Sequence, residues 1–136
     1  MEAVSKVFNH PKVYPWVTDD TCIPPFIPDE HALYLMDESK QGCILVVQVN
    51  GVTCEVHIGT LPEMKGRTVK FVKEAIKWVF ENTRYLKIIS FAPECNRAAV
   101  VFGKRCGLKV EGTITKSFLK DWKLYDQIVF GLSKHD

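Results

Sequence analysis

The spacing of hydrophobic positions changes period along this chain. From residue 32 onward, "ALYLMDE", "GCILVVQVN" and "VTCEVHIGTL" are short apolar or alternating runs bounded by turn-forming residues, the pattern of three strands. Asn50 and Gly51 between the last two are the dipeptide favoured by a type I′ turn, so an antiparallel meander is expected. Over residues 68 to 82 the period lengthens to that of a helix. Val69, Val72, Ile76, Val79 and Phe80 fall on one side, and Lys70, Lys73, Glu74, Lys77 and Glu81 on the other. Trp78, with Phe71 and Ala75 at the edge of the apolar face, is expected in the core. "YLKIISFAP" reads as a short buried strand closed by Pro93. "NRAAVVFGKRC" reads as a second helix, with Asn96 suited to its N-cap and Gly107 to its stop. "LKVEGTITKSFL" and "KLYDQIVFGLSK" alternate on either side of Lys120, Asp121 and Trp122, a final hairpin. Before residue 32, "MEAVSKVFN" suggests a short helix, "PKVYPWVTDD" a further turn or two, and the proline-rich "CIPPFIPDEH" only loop or extended chain.

This order predicts one mixed α/β sheet, mostly antiparallel, with flanking helices. The strand, helix, strand unit at its centre makes the third and fourth strands parallel neighbours through a right-handed crossover. No internal repeat, low-complexity tract or linker interrupts the pattern, so residues 1–136 are expected as a single domain. The loop "LPEMKGRT" lies between a strand end and a helix start, where unpaired backbone N–H groups meet the positive end of the helix dipole. Such a place can cradle a phosphate or pyrophosphate, with Gly66 allowing close approach and Lys65 and Arg67 adding positive charge. The competing reading is that Gly66 simply makes a turn. Neither GxGxxG nor GxxxxGK followed by Ser or Thr occurs, which removes the dinucleotide fingerprint and the Walker loop.

Composition narrows the function classes further. With 18 basic and 16 acidic residues the formal net charge is +2, too balanced for the broad positive field of a nucleic-acid or anionic-membrane binder. The N-terminus has no apolar run of signal-peptide or membrane-spanning length, so a cytoplasmic protein is expected. The five cysteines, without CxxC spacing, are expected as free thiols rather than a metal site or disulfides. Trp16, Phe26 and Tyr34 are expected to pack over the sheet, with the wall of a substrate groove as the other reading. Asp126 is open between orienting a substrate amine and pairing with a lysine across the hairpin.

At this point three blocks resemble one family. "LPEMKGRT" is similar to a pyrophosphate loop written Q/RxxGxG/A, often PExxGxG. "NRAAVVFGKRCGLKVEG" is similar to NxxAxxxxxKxGFxxEG, and "KLYDQIVFGLSK" resembles a closing strand in which Asp precedes an apolar run. The family is the GNAT superfamily of acyl-CoA-dependent N-acyltransferases, in its ribosomal-protein N-acetyltransferase branch, and the resemblance covers roughly residues 32 to 133. "HPKVYPWVTDD" also resembles small phage-encoded members, which would place the chain in an infected bacterial cytoplasm or a virion. The resemblance implies a GNAT-type fold and acetyl-CoA as cofactor. It implies that the backbone amides of Lys65, Gly66, Arg67, Thr68 and Val69 cradle the pyrophosphate, that Ile58, Gly59, Thr60 and Leu61 accept the pantetheine arm, and that Asn96 helps hold CoA.

The chain departs from the family pattern at Glu63, where Gln or Arg is usual, at Thr68, where a small residue is usual, and at Gly103, where many members carry the tyrosine that protonates the leaving thiolate. The family's first strand is missing or reduced to "EAV", and residues 1–31 match poorly. Attack of an amine on a thioester needs a base within reach. In "CEVHIG", Glu55 and His57 are two apart and share one face of the strand, while Cys54, Val56 and Ile58 share the other, which makes Glu55 and His57 the base candidates. Imidazole is the side chain that ordinarily titrates near neutral pH. Together these readings imply an N-acetyltransferase acting on a primary amine such as a protein N-terminus, a lysine or a small amine. The alternative is a catalytically silent domain of this fold serving in binding or assembly.

Overall fold

The computed structural model describes residues 1–135; Asp136, the end of the expected span, lies outside the described residues. Two short helices open the chain, α1 (Glu2–Phe8) and α2 (Tyr14–Val17), and an irregular proline-rich segment follows them. Then come β1 (Leu33–Met36), β2 (Gly42–Gln48), β3 (Thr53–Thr60), a 3-10 turn over Pro62–Met64, and the long helix α3 (Thr68–Asn82). The chain continues through β4 (Lys87–Pro93), α4 (Arg97–Arg105), β5 (Lys109–Lys120) and β6 (Lys123–Ser133). The strands form one six-stranded sheet in the order β1-β2-β3-β4-β6-β5. Every neighbouring pair is antiparallel except β3 and β4.

Alternation along the strands sorts the core onto the two faces of this sheet. One face carries Ile44, Val46, Cys54, Val56, Ile88, Ala92 and Phe130, covered by Phe71, Val72, Ala75, Ile76 and Val79 of α3. The opposite face of β2 carries Cys43 and partly buried Leu45, which pack with Val4, Val7, Phe8 and Val13 of the N-terminal segment. Phe8 is 2% exposed and its ring centroid lies 5.0 Å from that of Phe26. Fully burying such a side chain contributes about 1.5–3 kcal/mol, which is what keeps so short a helix on the sheet.

Two local expectations are corrected. Neither Asn50 nor Gly51 has a positive φ, so the β2–β3 connection is not a type I′ turn. Instead the Asn50 side chain accepts from the N–H groups of Val52 and Thr53, each at 2.9 Å, closing a longer loop. The primed geometry occurs in the last hairpin, where Asp121 (φ 52°) and Trp122 (φ 62°) form the two-residue turn between paired Lys120 and Lys123. Trp78 is 42% exposed and lies outside the core, because the buried arc of α3 is filled by Phe71, Val72, Ala75, Ile76 and Val79.

The feature that positions a site is the centre of the sheet. The parallel pairing of β3 and β4 runs only from Thr53↔Lys87 to Glu55↔Ile89. Beyond it β3 continues to Thr60 and β4 to Pro93 without pairing to each other. Two strands that part in this way leave an opening through the sheet, and the edge of β3 from Val56 onward faces it unpaired on that side.

Candidate active site

A cavity of about 530 Å³ occupies the opening. On the α3 side it is lined by Val56, Ile58, Thr60, Thr68, Ala92, Asn96, Ala99, Phe102, Gly103, Leu108 and Phe130. On the other side it is lined by Glu55, His57, Phe91, Phe118 and Gln127 of the sheet and by Lys12, Val13, Trp16 and Val17 of the N-terminal segment.

The loop before α3 is built from its hydrogen bonds. Met64, 0% exposed, anchors the 3-10 turn, and Gly66 follows at φ +90°, a region that side-chain-bearing residues avoid. An added Cβ on Gly66 would meet nothing within 4 Å, so the requirement for glycine is conformational rather than steric. Of the five amides expected in the cradle, two are engaged within the loop. Lys65 N–H donates to Pro62 O at 3.1 Å and Arg67 N–H to Met64 O at 2.8 Å. Thr68, Val69 and Lys70 occupy the first turn of α3, whose N–H groups have no intrahelical acceptor, and the N-cap Arg67 supplies no side-chain cap. The anion-seeking end of the helix is therefore Gly66, Thr68 and Val69, with Thr68 also lining the cavity.

Arg67 is tied down across the loop, its guanidinium donating to Glu63 O at 3.4 Å. Its guanidinium donates to Gln41 Oε1 at 2.9 Å and lies 3.6 Å from Asp37. Asp37 in turn accepts from the Ser39 hydroxyl, which with the nearby guanidinium holds its carboxyl below the usual carboxylate range. Lys65 is exposed beside the loop.

Along β3 the expected pantetheine segment divides. Ile58 and Thr60 line the cavity, whereas Leu61 is buried in the N-terminal cluster and Gly59 is closed over, an added Cβ there lying 2.9 Å from the Phe8 ring. Asn96 lines the cavity and caps α4, its side chain accepting from Ala99 N–H at 3.2 Å. Glu55 and His57 share the face opposite the α3 core, with His57 Nε2 3.1 Å from Glu55 Oε2 and both side chains partly exposed. Asp126 is not on the cavity lining, and among the described residues it makes no ion pair. Its carboxylate accepts from the backbone N–H of Lys116 at 2.8 Å and fixes an irregularity in β5.

Gly103 has a local explanation. A Cβ there would stand 2.9 Å from the ring of Phe130, which is 2% exposed, so the phenyl ring fills the space that a side chain at 103 would need. Among the described residues no tyrosine lines the cavity. Sequence reasoning missed Ser90, whose hydroxyl donates to Val56 O at 3.1 Å across the point where the strands part. It also missed Phe91, Phe118 and Gln127. Their signal was the alternation of β4, β5 and β6, which says which residues share a face but not that the face is hollow.

This architecture has close parallels among solved structures. A spermidine N-acetyltransferase chimeric between the Vibrio cholerae protein and hSSAT matches with a TM-score of 0.66 at 20% identity, over 75% of this chain and 65% of that one. The Vibrio cholerae spermidine N-acetyltransferase in complex with CoA and spermine matches with a TM-score of 0.65 at 21% identity, over 74% and 63%. A GNAT-family acetyltransferase from Bacillus anthracis matches with a TM-score of 0.63 at 18% identity, over 70% and 59%. The fold is the GNAT fold. In all three comparisons the matched region is less than two thirds of the other chain. No protein-family model matches the chain, and no curated protein matches it by sequence. Among the described residues no helix is long and apolar enough to cross a membrane, and no group of His, Cys, Asp or Glu is placed to hold a metal ion.

Proposed function

We propose that this chain is an acetyl-CoA-dependent N-acetyltransferase that acts on a primary amine. The observation that carries the reading is the cavity through the sheet, with an uncapped helix N-terminus on one side and the Glu55–His57 pair on the other. The residues fit acetyl-CoA in two respects. Gly66, Thr68 and Val69 present amides at the positive end of α3 for a pyrophosphate. The edge of β3 beyond Glu55 has no β4 partner, so an extended pantetheine arm can add to it as a strand would. When bound, acetyl-CoA supplies an activated acetyl thioester.

The chain's own residues bind, orient and move a proton. His57 Nε2 lies 3.1 Å from Glu55 Oε2, and with the carboxylate on that side of the ring Nδ1 is left to take the proton an attacking amine must lose. Glu55 fixes the ring and stabilises the imidazolium that forms. Among the described residues no tyrosine lines the cavity, so the proton for the departing thiolate comes from water or from the imidazolium itself.

Thermal unfolding with and without acetyl-CoA and free CoA tests the reading. A ligand at a hundred times its dissociation constant adds about 2.7 kcal/mol, a shift of several degrees for a domain of this length. No shift at millimolar concentration would overturn it. The missing tyrosine favours one other reading, a silent domain of this fold serving in binding or assembly. That reading predicts stabilisation by CoA without release of free thiol, or no stabilisation at all.

A further inference from the structure

The half of the cavity opposite α3 is walled in a way that selects among amines. Resting on the acetyl-transfer reading, we propose that the acceptor is a small primary amine carried on an apolar, ring-sized body, and that polyamines are excluded. The first observation is the roof. Trp16 and Val17 of α2 line the cavity on the same side as His57, and α2 is tied to the tip of β5, where Lys120 Nζ donates to Pro15 O. The same ammonium lies 5.5 Å from the Trp16 ring centroid and 5.7 Å from that of Phe118. An acceptor in this half of the cavity therefore shares it with α2, which suits a small molecule.

The second observation is the chemistry of the walls. Trp16, Phe91 and Phe118 offer aromatic surface around the Glu55–His57 pair. Among the described residues lining the cavity Glu55 is the only carboxylate, and it is engaged with His57 at 3.1 Å. The cations nearby are Lys12 on the lining and Lys120 behind the aromatic wall. A single ammonium can be met by the Glu55 carboxylate beside His57. The further ammonium groups of a polyamine would meet two lysines, one of them already seated against the Trp16 and Phe118 rings where a second cation would otherwise be attracted, with no free carboxylate on the lining to replace the water they leave.

Titration calorimetry of 2-phenylethylamine and of spermidine, with the free protein and with CoA present, tests this. The expected result is a dissociation constant at least about tenfold lower for 2-phenylethylamine. Trp16→Ala should weaken 2-phenylethylamine, and Lys12→Glu on the lining should narrow the gap by favouring spermidine. Spermidine binding as tightly as 2-phenylethylamine, binding of neither amine, or indifference of 2-phenylethylamine to Trp16→Ala would each overturn the proposal. Stabilisation by CoA without this discrimination removes the acceptor assignment alone. Discrimination without stabilisation by CoA removes the acetyl-transfer reading and leaves the apolar amine site standing.

Discussion

Gly66 stands at φ +90° with open space around its missing Cβ, so two substitutions there separate conformation from charge. Gly66→Ala forces an L side chain into the left-handed region at a cost of about 1 kcal/mol, and CoA affinity should fall modestly. Gly66→Asp adds a negative charge beside the helix amides and should abolish CoA binding by calorimetry; unchanged affinity would remove the loop from the site. At His57 the expected outcome is the reverse. His57→Ala should lower turnover about a hundredfold or more with CoA affinity kept, and Glu55→Gln should lower it by a smaller factor.

The thiols give a test independent of function. Burial pushes Cys43 up to about 12 and Cys54 and Cys106 up to about 11, while Cys22 is exposed. Iodoacetamide at neutral pH should label Cys22 and spare those three in the folded protein. Their folded values lie above that of an unfolded thiol, so the native state binds more protons at high pH. Their contribution to stability is complete below pH about 9 and is lost progressively toward pH 11–12. A melting temperature that holds level from pH 8 to pH 11 would contradict this.

At the scale of elements, α3 and the strands were legible because their signal is periodic and their burial follows it. The turns were less so, since turn geometry answers to strand twist and tertiary contacts as well as to local residues. Asn50 and Gly51 carry the residue types of a primed turn, yet Asn50 spends its side chain on the N–H groups of Val52 and Thr53. Asp121 and Trp122 carry no such signature and hold positive φ angles, with Trp122 N–H donating to Asp20 at 2.9 Å. Trp122 is 86% exposed, so its ring adds little packing to offset the strain. Trp122→Gly should therefore stabilise the protein by about 0.5–1 kcal/mol in urea unfolding. A loss of stability would mean that the ring packs in a way the exposure does not show.

At the scale of the whole molecule, the fold was readable from blocks close together in sequence, and of the cofactor residues expected there Ile58, Thr60, Thr68 and Asn96 line the half of the cavity facing α3. The other half joins Lys12, Trp16, His57, Phe118 and Gln127, which the closed sheet brings together; of its lining residues within 1–31 only Trp16 was weighed for the wall of a groove, and as the second reading. The join is a small clasp that adds to the bond from Lys120 Nζ to Pro15 O. Asp20 N–H donates to Leu119 O at 2.9 Å, and the Asp20 carboxylate accepts from Trp122 N–H at 2.9 Å. Exposed hydrogen bonds of this kind are worth about 0.5–1.5 kcal/mol each, enough to hold α2 in place yet little enough to open. The buried helix α1 stays fixed by Val7 and Phe8 whatever the clasp does. Asp20→Ala should thus leave CoA affinity and most of the melting temperature unchanged and raise the amine KM severalfold, because the roof over the acceptor loosens while the cofactor side is untouched. A rise in CoA dissociation constant of the same size would show instead that the two halves of the cavity move as one body.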